Sequence, residues 1–414
     1  MVPVGRRLRA SLFLAAVMTL PLALGGVARS ADTGPIKLGL LVPKTGNFAP
    51  NGNDELLGWN FALKDLGDTV HGRKIQTIAI DDAGDPTQGL NAVRQLVEND
   101  RVVGLFGPTT SNEALAIRGY VAASGIPMIM VASADTLATS ARAKNILLGS
   151  YASDTPAMML GKWAADHLHL KRVTTLALDF SYGWDTVGGF VVALKKGGGG
   201  IEKQIWAPIT TADWSPYITQ IPSDSDGLFV LTAGAASVKV AAAFRQFGLL
   251  GKIALLSTST FNDYTVLQQE DQDVAKAAMV AGAYMDGLDN PENRRMAAAY
   301  KAATGKYPGA YAEIGYTAAK SYILALRKID GDTTDRRAWL DAVVGAQFQA
   351  PRGPVRWDPG TNAPIENFYV GKLQTVNGEL RQVPTVTYRN VMPWGILSKD
   401  VWEKIACCYT RQSP

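Results

Sequence analysis

VVGLFGPTTSNEALAIRGYVAASGIPMIMV, residues 102–131, divides into three pieces with different periodicities. Val102 to Phe106 is a short apolar run, Asn112 to Ala123 has helical spacing, and Pro127 to Val131 is apolar again. Gly107-Pro108 and Gly125-Ile126-Pro127 punctuate the joins. Two strands separated by a helix argue for parallel pairing, because parallel neighbours need a crossover of about this length and a helix supplies it. The stretch is therefore one β-α-β unit.

The alternation continues on both sides. Upstream, Ile36 to Val42 and Ile75 to Ile80 read as strands, and Leu56 to Leu66 and Thr87 to Glu98 as helices. Downstream a second series starts near Tyr151. Pro156 opens a helix to His169, Val173 to Leu178 is a strand, and Val187 to Lys196 is a helix stopped by the glycines at 197 to 200. Ile201 to Trp206, Pro216 to Gln220, Gly227 to Leu231, Val238 to Phe247 and Ile253 to Leu256 complete it. Pro291 to Gly345 is mostly helical, and Val355 to Trp357 is a strand between turns at Arg352-Gly353-Pro354 and Asp358-Pro359-Gly360. The expected fold class is α/β, with two Rossmann-like halves built on parallel sheets.

The first thirty residues have the features of an export leader. Arg6, Arg7 and Arg9 precede an apolar run from Leu12 to Leu24, and Ala28-Arg29-Ser30 supplies small residues before a cut at Ala31. The whole chain carries +4, and losing the leader with its arginines at 6, 7, 9 and 29 leaves a balanced protein. A balanced surface argues against nucleic acid or an anionic membrane as the partner, since both require a basic face. The expected compartment is the periplasm. The only cysteines, Cys407 and Cys408, make no disulfide framework and read as two thiols on a terminal extension, with a vicinal disulfide as the alternative.

No phosphate-cradling Gly-x-x-x-x-Gly-Lys, no Gly-x-Gly-x-x-Gly after the first strand, and no Cys-x-x-Cys or His-Glu-x-x-His is present. His167 and His169 lie two apart on one helix and point to different faces. These absences lead us to expect no catalytic residue, no metal and no cofactor. What remains is a set of loops at the carboxyl edges of strands, where open α/β sheets collect ligands. In Gly107 to Glu113, Thr110 and Glu113 have capping-box spacing, and the helix start offers free N–H groups with the hydroxyl of Ser111 and the side chain of Asn112. Together with the helix dipole these donors suit a carboxylate. Ser133-Ala134-Asp135 follows the next strand. Tyr182 and Trp184 sit at the matching edge of the second half, and the run from Ser257 to Phe261 adds hydroxyls, among them Ser259, and the ring of Phe261.

At these residues the chain resembles the type I periplasmic binding proteins, specifically the branched-chain amino acid binding group. The likeness runs from about Ile36 to Leu373. It includes Thr45-Gly46 with Ala49 and Gly52, Asp81-Asp82-Ala83-Gly84-Asp85-Pro86, the Gly107-Pro108 turn leading to Ser111, and Tyr182-Gly183. The resemblance implies two lobes joined by three crossover segments that close on a solute, which a permease and its ATPases then collect. The expected state is a monomer. The expected lobes are 31–150 with 284–357 and 151–283 with 358–378, followed by an extension at 379–414 packed on a lobe.

Carried over, Ser111 corresponds to the serine that grips the ligand carboxylate, Ser133 to the neighbouring backbone-binding loop, and Tyr182 to a ligand-facing tyrosine. Asn51 falls near a first-loop aromatic position, and Tyr311 near an aromatic of the pocket wall. Ala134 replaces a threonine that often helps hold the amino group, and hydroxyl residues replace an acidic residue near Ser259. Gly84 and Thr110 stand where some relatives carry a disulfide. An α-ammonium would lack its charged partner, and burying it unpaired is costly. A carboxylate without an amine fits better, with Phe48, Tyr182, Trp184, Phe261 and Tyr311 suited to an aromatic or aliphatic body. Branched-chain or other amino acid binding, with Asp135 or Asp179 supplying the charge, is the alternative reading. A ligand-sensing receptor or regulator is the second alternative.

Overall fold

The computed structural model describes residues 1–3, 5, 34–406 and 408–411. The expected leader lies outside the described residues apart from 1–3 and 5. No helix among the described residues is long and apolar enough to cross a membrane.

The first sheet contains β1 (Ile36–Val42), β2 (Thr69–Val70), β3 (Arg73–Asp81), β4 (Gly104–Phe106), β5 (Met128–Met130) and β6 (Ile146–Leu148). Its spatial order is β2-β3-β1-β4-β5-β6, and every pair except β2-β3 is parallel. Between these strands run α1 (Ala49–Leu66), α2 (Pro86–Arg94) and α3 (Ser111–Ser124). Leu40, Leu41 and Val42 are all fully buried, as strands covered on both faces by helices must be.

After β6 the chain passes to a second sheet through α4 (Asp154–His167). There β7 (Val173–Leu178), β8 (Ile201–Ala207), β9 (Gly227–Leu231), β10 (Ala254–Thr258) and β11 (Met279–Gly282) pair in parallel in the order β8-β7-β9-β10-β11. Their connections carry α5 (Ser181–Lys196), α6 (Ser215–Ile218), α7 (Ala235–Gln246) and α8 (Gln272–Ala277).

The chain then returns. Helices α9 (Pro291–Thr304), α10 (Ala310–Lys328) and α11 (Arg336–Val344) join the core of the first sheet, where Tyr322 and Trp339 pack with Trp59 and Phe106. Two glycines allow α1 and α10 to approach closely. A Cβ at Gly58 would collide with the Ala312 carbonyl oxygen, and one at Gly315 with that of Glu55. That approach brings Tyr311 beside the N-terminal half of α1.

A last crossover uses β12 (Gln347–Ala350), β13 (Gly353–Trp357) and β14 (Pro364–Val376). β14 pairs antiparallel with β13 at one end and with β11 at the other. β15 (Glu379–Val391) turns back antiparallel along β14, and α12 (Lys399–Ile405) follows. Trp402 and Tyr409, late in the described residues, are seated in the fold. Trp402 is fully buried with its indole N–H donating to Asp154 Oδ2 at 2.8 Å, and Gly188 has no Cβ where the ring of Tyr409 packs. Cys408 is disulfide-bonded, which overturns the reading of two thiols; Cys407 lies outside the described residues.

Candidate functional site

Gly107 sits at φ +92, and a side chain there would strike the Leu41 carbonyl oxygen, so only glycine allows the chain to turn this tightly off β4. The turn places Thr109, Thr110 and Ser111 at the start of α3, facing a cavity. Its other walls are Phe48, Val131, Ser133, Ser150, Tyr151, Phe180, Tyr182, Ala233, Thr260, Ala310, Tyr311 and Ile314. The empty volume, solvent at its mouth included, is about 540 Å³. Elements of both sheets contribute. Ser111 and Tyr182 therefore face one shared cavity.

None of the lining side chains carries a formal charge at neutral pH. Hydroxyls and phenols dominate, against apolar surface from Phe48, Val131, Phe180 and Ile314. Burial keeps the phenols of Tyr151, Tyr182 and Tyr311 above their ordinary pKa, so they remain protonated donors. The hydroxyls of Tyr151 and Tyr182 lie 3.4 Å apart. Several alcohols are held in place: Ser133 Oγ is 2.9 Å from Ser153 Oγ, Ser150 donates to the Val131 carbonyl at 2.8 Å, and Thr260 donates to the Thr232 carbonyl at 3.1 Å.

Of the expected ligand-binding residues, Phe48, Thr110, Ser111, Ser133, Tyr182 and Tyr311 line this cavity and seven do not. Each of the seven has a geometric reason. Asn112 follows Ser111 on α3, and a helix turns about 100° per residue, so its side chain is exposed and accepts from Ser181 at 3.2 Å. Trp184 is two positions past Tyr182. The helix expected from Val187 starts at Ser181 instead, which puts the two rings on different faces, and Trp184 donates to Asp179 at 2.9 Å.

The remaining departures follow the same logic of direction. Ser259 turns its hydroxyl toward Gly282 on β11, and Phe261 is buried in the core of the second sheet, so Thr260 between them reaches the cavity. Ala134 is core. Asn51 is fully buried beside Gly234. The backbone N–H of Asp135 donates to Asp185 Oδ2 at 2.9 Å, and its side chain sits in a buried group with Asp154 and Asp185. Asp179, the other proposed ammonium partner, pairs with Arg411 at 3.3 Å.

The capping box does not form. Thr110 is the N-cap of α3, but its side chain caps nothing, and Glu113 is buried near Asp82. The neighbourhood inferred for Gly84 and Thr110 is real: a Cβ at Gly84 would lie 3.5 Å from the Thr110 methyl. Tyr151 and Ser150 escaped sequence reading because the strand that delivers them, β6, is only three residues long. Thr109 was already within the Gly107 to Glu113 segment. Ala233 and Ala310 carry no signal a sequence could show.

Several carboxyls are buried deeply enough that desolvation outweighs any cation beside them, Arg352 at Glu366 included. Burial pushes Asp54 and Asp82 up to about 6, Asp185 and Glu366 up to about 8, Glu270 up to about 9 and Glu113 up to about 10. Such a group keeps its proton in the folded chain at pH values where the unfolded chain has lost it. Stability therefore falls as pH rises from about 4 toward these raised values. The expected result is a melting temperature several degrees lower at pH 8 than at pH 5. Asp185→Asn should lessen the slope. Calorimetry across that range checks it, and a melting temperature that climbs from pH 5 to 8 contradicts it.

A family model described as periplasmic binding protein matches residues 35–379. A curated relative, Leu/Ile/Val-binding protein homolog 6 of Brucella melitensis biotype 1, is 24% identical over 355 residues, covering 84% of this chain and 89% of the relative. Among solved structures, a solute binding protein of an ABC transporter from Rhodopseudomonas palustris BisB5, in complex with 3,4-dihydroxybenzoic acid, superposes with a TM-score of 0.83 at 28% identity. It covers 87% of this chain and 99% of that one. An ABC transporter substrate-binding protein from Sphaerobacter thermophilus gives 0.81 at 26% identity, covering 86% and 98%. With a two-sheet α/β architecture, a cavity shared between the sheets and a family match over most of its length, the chain belongs to the periplasmic binding proteins, a family of solute binders and not of enzymes.

Proposed function

We propose that this chain is the periplasmic binding subunit of an ABC importer, exported by its first thirty residues, and that its cleft closes as a monomer on a small aromatic monocarboxylate. The carrying observation is the cavity wall: hydroxyl donors gathered at the N-terminus of α3, with no charged side chain among them. Neutral donors and a helix start stabilise an anion without a counter-cation. Ser111, Thr109 and Thr110 hold the acid group, while Phe48, Phe180, Tyr182 and Tyr311 surround the ring. The dihydroxybenzoate carried by the Rhodopseudomonas relative supports this reading. A membrane permease with its ATPases receives the closed form.

Leucine, isoleucine or valine is the rival ligand class, favoured by the name of the Brucella relative. Its α-ammonium would enter a wall without a carboxylate, and that desolvation is expensive. Ligand bound only to the folded state raises the melting temperature by mass action, by about 4 kcal/mol of stability at a thousandfold excess over Kd. A thermal-shift panel of benzoate, 4-hydroxybenzoate, 3,4-dihydroxybenzoate, leucine, isoleucine and valine should show shifts of several degrees with the aromatic acids. Shifts with the amino acids alone refute the assignment.

A further inference from the structure

Glu55 is fully buried on α1, one layer behind the cavity wall, and it is not a lining residue. Its two carboxyl oxygens lie 2.9 and 3.1 Å from the hydroxyl of Thr109, which does line the cavity. The titratable groups around it come from four elements. They are Asp54 on its own helix, Asp82 after β3, Glu113 on α3 and Tyr311 on α10, all acidic. Burial, with Asp82 and Asp54 adding to it, holds the Glu55 carboxyl well above its ordinary range.

A hydroxyl has one proton to donate, and Glu55 decides where that proton points. An ionised Glu55 can only accept, so Thr109 must donate backward and present lone pairs to the cavity. A neutral Glu55 donates its own O–H to the Thr109 oxygen. The Thr109 proton is then free to turn into the cavity beside the N-terminus of α3.

We propose that Glu55 is a positioning residue for anion binding: in its neutral form it turns Thr109 into a donor toward a bound carboxylate, and its ionisation withdraws that donor and places a negative charge behind it. This rests on the cavity holding a carboxylate, as proposed above. No proton leaves the protein for the ligand; only the direction of two hydrogen bonds changes. Binding of a carboxylate therefore weakens as pH rises, although the ligand acid stays ionised throughout.

The test is calorimetric titration of benzoate, which has no phenol to titrate, and of 3,4-dihydroxybenzoate at pH 6, 7, 8 and 9. Wild type is expected to lose about tenfold or more in benzoate affinity across that range. Glu55→Leu, which removes the backward donor, should lose about tenfold at pH 6. Glu55→Gln, whose amide N–H donates to Thr109 at every pH, should regain most of that loss and show a flatter profile. Thr109→Val should be weak and should lose the pH dependence as well, which keeps the test open should a Glu55 variant fold poorly. A wild-type affinity that does not change with pH overturns the proposal, and so does a Glu55→Gln profile as steep as wild type. If wild type binds neither acid at pH 6 while leucine binds, the aromatic-acid assignment itself has failed, and this inference goes with it.

Discussion

Arg352→Met should lower the unfolding free energy by about 3–5 kcal/mol, the usual cost of removing one partner from a buried charged group. Arg352 is 1% exposed and lies between Glu313 and Glu366, both fully buried. Its guanidinium donates to Glu313 at 2.6 Å and to Glu366 at 3.1 Å, and also to the carbonyls of Gly149 at 3.1 Å and Ser150 at 2.9 Å. Burial pushes Glu366 up to about 8, while the guanidinium opposes that rise. Methionine fills part of the volume but takes the guanidinium from both glutamates and from the Gly149 and Ser150 carbonyls, and leaves Glu313 only the hydroxyl of Thr317. Urea unfolding with the slope compared to wild type measures the loss. The triple variant Arg352→Met, Glu313→Gln, Glu366→Gln should recover a substantial part of it, since the stranded charge is gone. A single variant within about 1 kcal/mol of wild type would show that water reaches the site.

Ser111→Asp should remove carboxylate binding almost completely while leaving the fold intact. A second negative charge about 4 Å from the ligand acid, at an effective dielectric constant near 20, opposes binding by about 4 kcal/mol, or roughly a thousandfold in Kd. Ser111→Ala removes only one hydrogen bond to a charged group and should cost about 1.5–3 kcal/mol. The ligand-free protein is a useful control. Ser111 is the first residue of α3, where an acidic side chain interacts favourably with the helix dipole, so the melting temperature without ligand should not collapse. Titration of benzoate into both variants separates the cases. Ser111→Asp binding benzoate as tightly as wild type would falsify the placement of the acid group at α3.

The two effects differ in what made them visible beforehand. Ser111 could be picked out from residues alone, because Gly107-Pro108 marks the end of a strand and a polar run opens the next helix. Arg352 could not. It stood in a turn, and nothing local distinguishes an exposed turn arginine from one closed in by glutamates 39 positions before it and 14 after it. Glu55 is similar: on a helix of mixed character it has no mark of burial until Thr109, 54 residues away, is placed over it.

What the sequence determined by itself is the architecture and the kind of place where a solute would bind. Alternating strand and helix periods require parallel sheets, and parallel sheets present their loops and helix starts at one edge, so the candidate segments at 107–113, 133–135, 179–185 and 257–261 follow from the order of elements. Only the tertiary structure decided which neighbour within each segment faces the cavity. Ser111 and Asn112, Tyr182 and Trp184, or Thr260 and its flanking residues differ by one or two positions. A helix rotates a side chain by about 100° per residue and a strand reverses it, so facing depends on where each element starts. Those starts are set by packing across the whole molecule: the α1–α10 approach at Gly58 and Gly315, and the turn of Gly107 under Leu41.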